Sequence, residues 1–572
     1  MNSILSLVNL WDNPVFHRFR RSQLRSKKSI FWYLVTLIVT TFSIVLPYIL
    51  ETNPINDFQA PLAREQAARN LWIPLLVIQG LILLFKGTGQ TASGLIQDKI
   101  DETLDYQRLT PMSPLRNVVG YLFGLPILEY VMFTLTLPHL AFIVIVGNIP
   151  LGTVFSVYLI FFTCAIFYHM TAIAIGLVLK RWIFGYLVSM FSVFFLNAVL
   201  PGIASQFGLK FLQFLSIVPV IGQKVLPLMG APTFTPQPGQ FGPGPGQFGP
   251  SNQFQRQQDD AAFFSFDAPV PFFDWTLSPF FFTLMLQAAL IVTFATMAVR
   301  RWQKENKHSL SKFYALGILT VFIILVTGNL WPIITGQYLP FQLFGITDIA
   351  TDGLGEILAI SLPMVYSIAI WLLCAFLFTN IVPNHSDYVR GVRRARKQDR
   401  KAALPWDDDS ANLPFMSLFL VIALVGFWIL YGQMAGAGFM SFLDGTDFAH
   451  WRLPLVLGLV LFYSLMLIQT LQYRGTALTV LLVWLLPILV AIVSAAAIQD
   501  LTNFQTIVAS VSPLATIIMT GVLAGEWVGP IGGAVDELAV LLTGVRTGIL
   551  FLVIQIAVLS LWWRHLRRKL IN

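Results

Sequence analysis

Apolar blocks of about twenty residues recur along almost the whole of this 572-residue chain, and that spacing limits its fold more than any other feature. A helix of that length crosses about 30 Å of hydrocarbon. Backbone N–H and C=O groups find no water there, so a spanning segment must satisfy them internally, as a helix does. A β-barrel would instead show short alternating segments. Hydrophobic residues make up 56% of the chain and charged residues only 11%, far below a soluble domain. The sequence therefore predicts an all-α, polytopic membrane protein with about twelve transmembrane helices.

The spans are expected near 29–50, 71–92, 118–146, 153–179, 183–204, 276–299, 313–334, 357–381, 414–434, 453–472, 477–498 and 538–563. The apolar stretches 207–229 and 504–524 are too broken to cross and read as re-entrant or interfacial. With the N-terminus inside, the inner segments hold about 29 of the 36 Lys and Arg, as the positive-inside rule requires. Acids such as Asp259, Asp260, Asp267, Asp274, Asp444, Asp447, Asp500, Glu526, Asp536 and Glu537 fall outside. Both termini are then cytoplasmic. Because the net charge of +8 follows this topological pattern, nucleic acid is not an expected partner, whereas membrane lipid is.

Residues 1–28 carry no cleavable signal and read as a cytoplasmic interfacial helix with a basic anchor from Arg18 to Lys28. Residues 29–305 form the first six-helix half and 306–572 the second. Within the first, the Pro-, Gly- and Gln-rich stretch 230–275 lacks apolar periodicity and is expected to be a disordered extracytoplasmic loop. It reads as a spacer or as a contact for a partner outside the membrane. Each half carries a long charged inner loop after its second span, 93–117 and 382–413, the second with its charged core in 383–413. Each follows its fifth span with a Ser-x-x-Pro, at Ser216–Pro219 and Ser510–Pro513. This shared layout suggests an internal repeat.

The segment 95–116 sets Asp98, Asp101, Glu102 and Asp105 between two spans, where a charge would cost several kcal/mol inside the bilayer, roughly 2.5–3.5 on insertion scales. It must lie outside. Taken as one helix, it aligns Ile96, Ile100 and Leu104 in an apolar stripe. Asp105 and Arg108 are spaced to pair, and Pro111 and Pro114 end the helix. Such a helix is either a solvated loop or a grip for a soluble partner.

Here the chain resembles ABC-type exporter permeases of the second class. These often begin with Asn-Pro and a basic amphipathic helix, as Asn13-Pro14-Val-Phe-His-Arg-Phe-Arg-Arg does here. After their second span they carry Glu-x-x-x-Gly/Arg-Thr-Leu-x-x-Leu-Leu-x-Thr-Pro-Leu-Ser. This chain reads Asp98-Lys-Ile-Asp-Glu102-Thr103-Leu104-Asp-Tyr-Gln-Arg108-Leu109-Thr110-Pro111-Met-Ser113-Pro114. The resemblance implies that Asp98, Asp101, Glu102, Thr103, Leu104, Arg108, Leu109, Thr110, Pro111, Ser113 and Pro114 form a coupling helix that docks into an ATPase subunit. The family's following Gly-Lys is Gly120-Tyr121 here. The resemblance covers the first six spans. The second half lacks the signature and has instead the basic run Arg390–Lys401, Pro405 and Asp407–Asp409.

No Gly-x-x-x-x-Gly-Lys-Ser/Thr occurs, so an ATPase, with its ATP and magnesium, would be a separate cytosolic subunit, in two copies. The cluster Gly87-Thr-Gly89-Gln-Thr-Ala92 ends a span with no strand before it and is not read as a nucleotide site. No cofactor or metal set is legible. Cys164 and Cys374 fall inside spans as small buried hydrophobes, and Asp444, Asp447 and His450 read as a solvated loop cluster. Glu129 and His169 are ionisable groups within spans, either a proton-relaying pair or a structural hydrogen bond.

The expectation is a transport subunit rather than an enzyme: the permease of an ATP-driven exporter in a bacterial cytoplasmic membrane, moving an unknown substrate. The sequence leaves open an ion-coupled transporter using Glu129 and His169, and a membrane scaffold using the 230–275 loop.

Overall fold

The computed structural model describes residues 10–53, 62–202, 207–229, 270–303, 308–335, 351–383, 385–400, 404–410, 413–436, 449–471, 477–498, 503–524 and 534–571. The loop expected at 230–275 lies outside them except for its last six residues. Asp444, Asp447, Asp500 and Glu526 also lie outside them, as do the side chains of His450, Asp536 and Glu537. Two compact units divide the chain at Lys307/His308, with Phe207–Leu209 and Pro271–Asp274 grouping with the second.

Among the described residues, eleven helices are long and apolar enough to cross a membrane. In the first unit the amphipathic α1 (Pro14–Leu24) precedes the spans α2 (Lys27–Thr52) and α3 (Arg64–Ile100). Asn13 starts α1 by accepting the Val15 amide at 3.0 Å, and Pro14 sits where no N–H is needed. After α3 come a short α4 (Thr103–Arg108) and α5 (Pro114–Gly124), which Ser113 caps through the Arg116 amide. Then follow α6 (Ile127–Val146), α7 (Leu151–Val178) and α8 (Trp182–Gly202). Short helical turns over Lys210–Leu215 and α9 (Val218–Lys224) fill the stretch read as broken, and α10 (Pro279–Gln303) closes the unit.

The second unit holds α11 (Lys312–Ile334), α12 (Thr351–Ile381), the short basic α13 (His385–Lys397), α14 (Leu413–Gly436), α15 (Ala449–Leu471), α16 (Ala477–Ile498), α17 (Asn503–Ser510), α18 (Pro513–Ala524) and α19 (Ala534–Ile571). The eleven apolar helices coincide with eleven expected spans, and α16 is the twelfth segment. The stretch read as too broken to cross is the pair α17–α18, bent by 118°. The turn falls just ahead of Pro513, which cannot donate to a continuing helix, and the Ser512 hydroxyl donates to the Trp484 carbonyl at 2.6 Å.

Two expected elements differ. The second span is longer than its apolar core, because Arg64–Asn70 and Gly87–Ile100 extend it as helix at both ends. The third, expected as continuous over 118–146, breaks at Leu125–Pro126, where proline removes a backbone donor. Glu129 therefore sits in the first turn of α6, where the helix N-terminus favours a carboxylate, and not in mid-span.

Candidate functional site

The charged segment is a knob built on a break. Residues 95–116 do not form one helix: α3 ends at Ile100, and Glu102 takes a left-handed conformation with φ 56°. Non-glycine residues adopt that conformation uncommonly. In the motif this segment resembles, the same position is Gly or Arg. The break rotates α4 relative to α3 and undoes the expected stripe. Ile96 and Leu104 are buried, but Ile100 is 52% exposed. Arg108 pairs with Asp105 at 2.7 Å, as their spacing predicts. The Thr110 hydroxyl donates to the Gln107 carbonyl at 2.6 Å, closing the turn after α4.

Leu104 roots this knob. It joins Val15, Phe19, Tyr121 and Trp302 in one apolar cluster, so α1, α4, α5 and α10 share a core there. Phe19 packs edge-on to Tyr121 with ring centroids 5.3 Å apart, and Tyr121 lies 5.1 Å from Trp302. Polar contacts lie beside this cluster. Arg18 forms an ion pair with Asp98, and the Tyr121 hydroxyl donates to the same carboxylate at 2.6 Å. The Asn13 amide donates to the Arg116 carbonyl at 2.7 Å. A Cβ at Gly120 would stand 2.7 Å from Asn13 Oδ1 and 2.8 Å from Val15 Cβ, so the glycine permits this close approach.

Beyond this root the knob is apolar and acidic at its surface. Tyr106 is 73% exposed and Leu109 84% exposed, with Asp101, Glu102, Asp105 and Pro111 also exposed. Of the residues expected to couple, Asp98 and Leu104 face inward as anchors. Thr103, Arg108, Thr110, Ser113 and Pro114 are half-buried, while Asp101, Glu102, Leu109 and Pro111 face out. Tyr106 was not singled out in the sequence, although a lone aromatic in an acidic loop is itself a signal.

The intramembrane pair is assembled differently from the expectation. Glu129 is 1% exposed and pairs with Lys86 at 3.0 Å, not with His169. Lys86 also stands over the Trp32 ring at 4.5 Å. Buried His169 contacts the Leu83 carbonyl at 3.1 Å and the Tyr130 hydroxyl at 3.3 Å. Leu83 and Lys86 both belong to a π-helical turn, Leu81–Lys86, within α3. Such turns are rare and recur at functional sites. Lys86 was legible as a lone cation inside an apolar run, but the sequence could not show its partner.

In the second unit, the loop 404–410 closes around Lys312, which is 1% exposed. Its ammonium donates to the carbonyls of Asp407 at 2.8 Å, Pro405 at 2.9 Å and Ser410 at 3.1 Å. Among the described residues, no group of three or more His, Cys, Asp or Glu side chains is placed to hold a metal ion. Neither protein-family models nor curated proteins nor solved structures yield a match to this chain.

Proposed function

We propose that this chain is the membrane-spanning permease subunit of an ATP-driven exporter, with a separate cytosolic ATPase docking on the knob at residues 101–111. The observation that carries this reading is the division of labour within α4 and its flanks. Leu104 is buried in the cluster with α1 and α5, while Tyr106 and Leu109 are exposed. Leaving two large apolar side chains exposed in an extramembrane segment costs solvation that a docking groove would recover. Their acidic neighbours would steer a basic partner. Because the root of the knob is packed and ion-paired, a push on its tip would reach α1 and α5 as a rigid movement.

The resemblance of residues 98–114 to the coupling segment of second-class ABC permeases supports the same reading. On it, the two units are the two permease halves of one polypeptide, ATP and magnesium bind the partner, and the membrane is a bacterial cytoplasmic one with both chain termini inside. The docking test is co-purification from native membranes in mild detergent. Recovery of a soluble P-loop ATPase with the native chain, reduced at least tenfold by Tyr106→Ala with Leu109→Ala, is expected. Clean recovery of the chain with no ATPase would overturn the reading. An ion-coupled transporter would then have to work through Lys86 and Glu129, with flux lost in Glu129→Gln.

A further inference from the structure

Helix α13 follows closely on the end of span α12, and its two faces differ sharply. One face is seated: Tyr388 packs on Trp563 of α19 with ring centroids 5.9 Å apart, and Ala395 is buried. Gly391 lies against the loop, where a Cβ would stand 2.6 Å from Asp409. The other face carries Arg390, Arg393, Arg394, Arg396 and Lys397, all exposed. Two acids balance part of this charge: Asp387 pairs with Arg390 at 3.4 Å and Asp409 with Arg394 at 2.7 Å. Even so, those two arginines remain 62% and 67% exposed. The end of α19 adds to the same surface. The Arg567 charge lies close enough to Tyr388 to oppose the rise that burial gives its pKa, and Arg564, Arg567 and Arg568 are exposed. The result is a basic surface on the side that the positive-inside rule makes cytoplasmic.

We propose that this surface, formed by α13 and the end of α19, binds the phosphate headgroups of anionic phospholipid in the cytoplasmic leaflet. Position selects lipid over a soluble partner. Trp562, half-buried, immediately precedes the α19 arginines, and tryptophans favour the headgroup level. The cations therefore lie at the height of lipid phosphates. Clusters of four to eight Lys and Arg beside a span or on an amphipathic helix are the usual footprint of anionic-lipid binding. Arginine dominates the cluster, and its planar fork matches phosphate. The proposal does not depend on the exporter reading.

The test uses the full chain in detergent, titrated with phosphatidylglycerol or phosphatidylcholine and examined by native mass spectrometry. The native chain should retain the anionic lipid about tenfold better or more, and the preference should narrow in about 0.5 M salt. Combining Arg393→Gln, Arg396→Gln, Lys397→Gln and Arg564→Gln should bring the ratio near one. Replacing the same arginines by lysine should preserve most of it. Equal retention of both lipids by the native chain would overturn the proposal, as would a preference that survives the glutamine variant. Should the glutamine variant not fold, a preference insensitive to salt, or one lost in the lysine variant, would overturn it equally. Capture of an acidic soluble protein on this surface, with lipid retention unselective, would assign the surface to a protein partner instead.

Discussion

Arg18 and Asp98, eighty residues apart in sequence, form an ion pair that ties the N-terminal helix to the root of the exposed knob. The Tyr121 hydroxyl donates to the same carboxylate at 2.6 Å, so Asp98 serves α1 and α5 at once. Asp98→Ala should lower stability by about 1.5–3 kcal/mol, the range for hydrogen bonds to a charged group. Arg18→Ala should cost less, because Arg18 is the more exposed partner. If the contact joins these helices, the double variant should cost less than the sum of the two single ones. Strict additivity in thermal unfolding would show that the pair contributes no coupling. Where the exporter reading holds, Asp98→Ala should also weaken ATPase stimulation while leaving ATPase binding intact, since the docking face is untouched.

Lys86 and Glu129 give a second, sharper test. Glu129 is almost fully buried, and Lys86 is its partner at 3.0 Å. Removing one member of a buried pair strands the other charge and typically costs about 3–5 kcal/mol, whereas replacing both with apolar residues of similar size is often neutral. Lys86→Met and Glu129→Leu should therefore each destabilise the chain more than the double variant does. A double variant worse than either single one would mean that the pair is held for another reason, such as transport. Flux measurements on the same set would identify it.

How much of this could be read from the chain differs from residue to residue. Span positions were legible because bilayer thickness sets a length that composition reveals directly. The break at Ser512–Pro513 was legible because its proline falls in an apolar stretch already interrupted by polar residues; a proline alone does not decide, since Pro47, Pro138 and Pro332 lie inside helices. The left-handed turn at Glu102 was not: glutamate gives no local sign of that conformation, and a continuous 3.6-residue pattern hid the break. The Arg18–Asp98 and Lys86–Glu129 pairs depend on how distant helices pack, which periodicity does not encode. Glu129 was visible as an unusual residue, yet its place in the first turn of α6 depends on the break at Pro126.

Lys312 organises the loop that follows α13. Its ammonium is held by three carbonyls of residues 405–410 and by the Ser410 hydroxyl. Lys312→Met should remove the donor these acceptors share, leaving the Ser410 amide and hydroxyl to serve the Asp407 and Pro405 carbonyls, at about 1–3 kcal/mol for each acceptor left unpaired where water cannot reach it. The loop should then open locally before the unit unfolds. Limited proteolysis within 400–410 should quicken severalfold in the variant. Unchanged cleavage would show that the loop is held by the Arg394–Asp409 pair instead.

His308, just outside α11, carries the clearest pH dependence beyond the membrane. Burial lowers its pKa; Asp408, Asp387 and Asp409 oppose that shift, and Lys312 adds to it. A histidine held neutral in the folded chain binds fewer protons than in the unfolded chain, whose pKa is about 6.5. Stability from this site is therefore full above about pH 6.5 and declines as the pH falls from there through the folded value. Asp409 works in the opposite sense: burial raises its pKa, so protonation on acidification relieves a cost of the folded state. The two contributions separate by substitution. Between about pH 7.5 and pH 5.5, His308→Gln should lose less thermal stability than the native chain, by a few degrees at most. At lower pH, toward the ordinary aspartate value of about 3.9, Asp409→Asn should lose more stability than the native chain, because the compensating protonation is gone. Melting curves that stay parallel for all three proteins across both ranges would show that neither group titrates with folding.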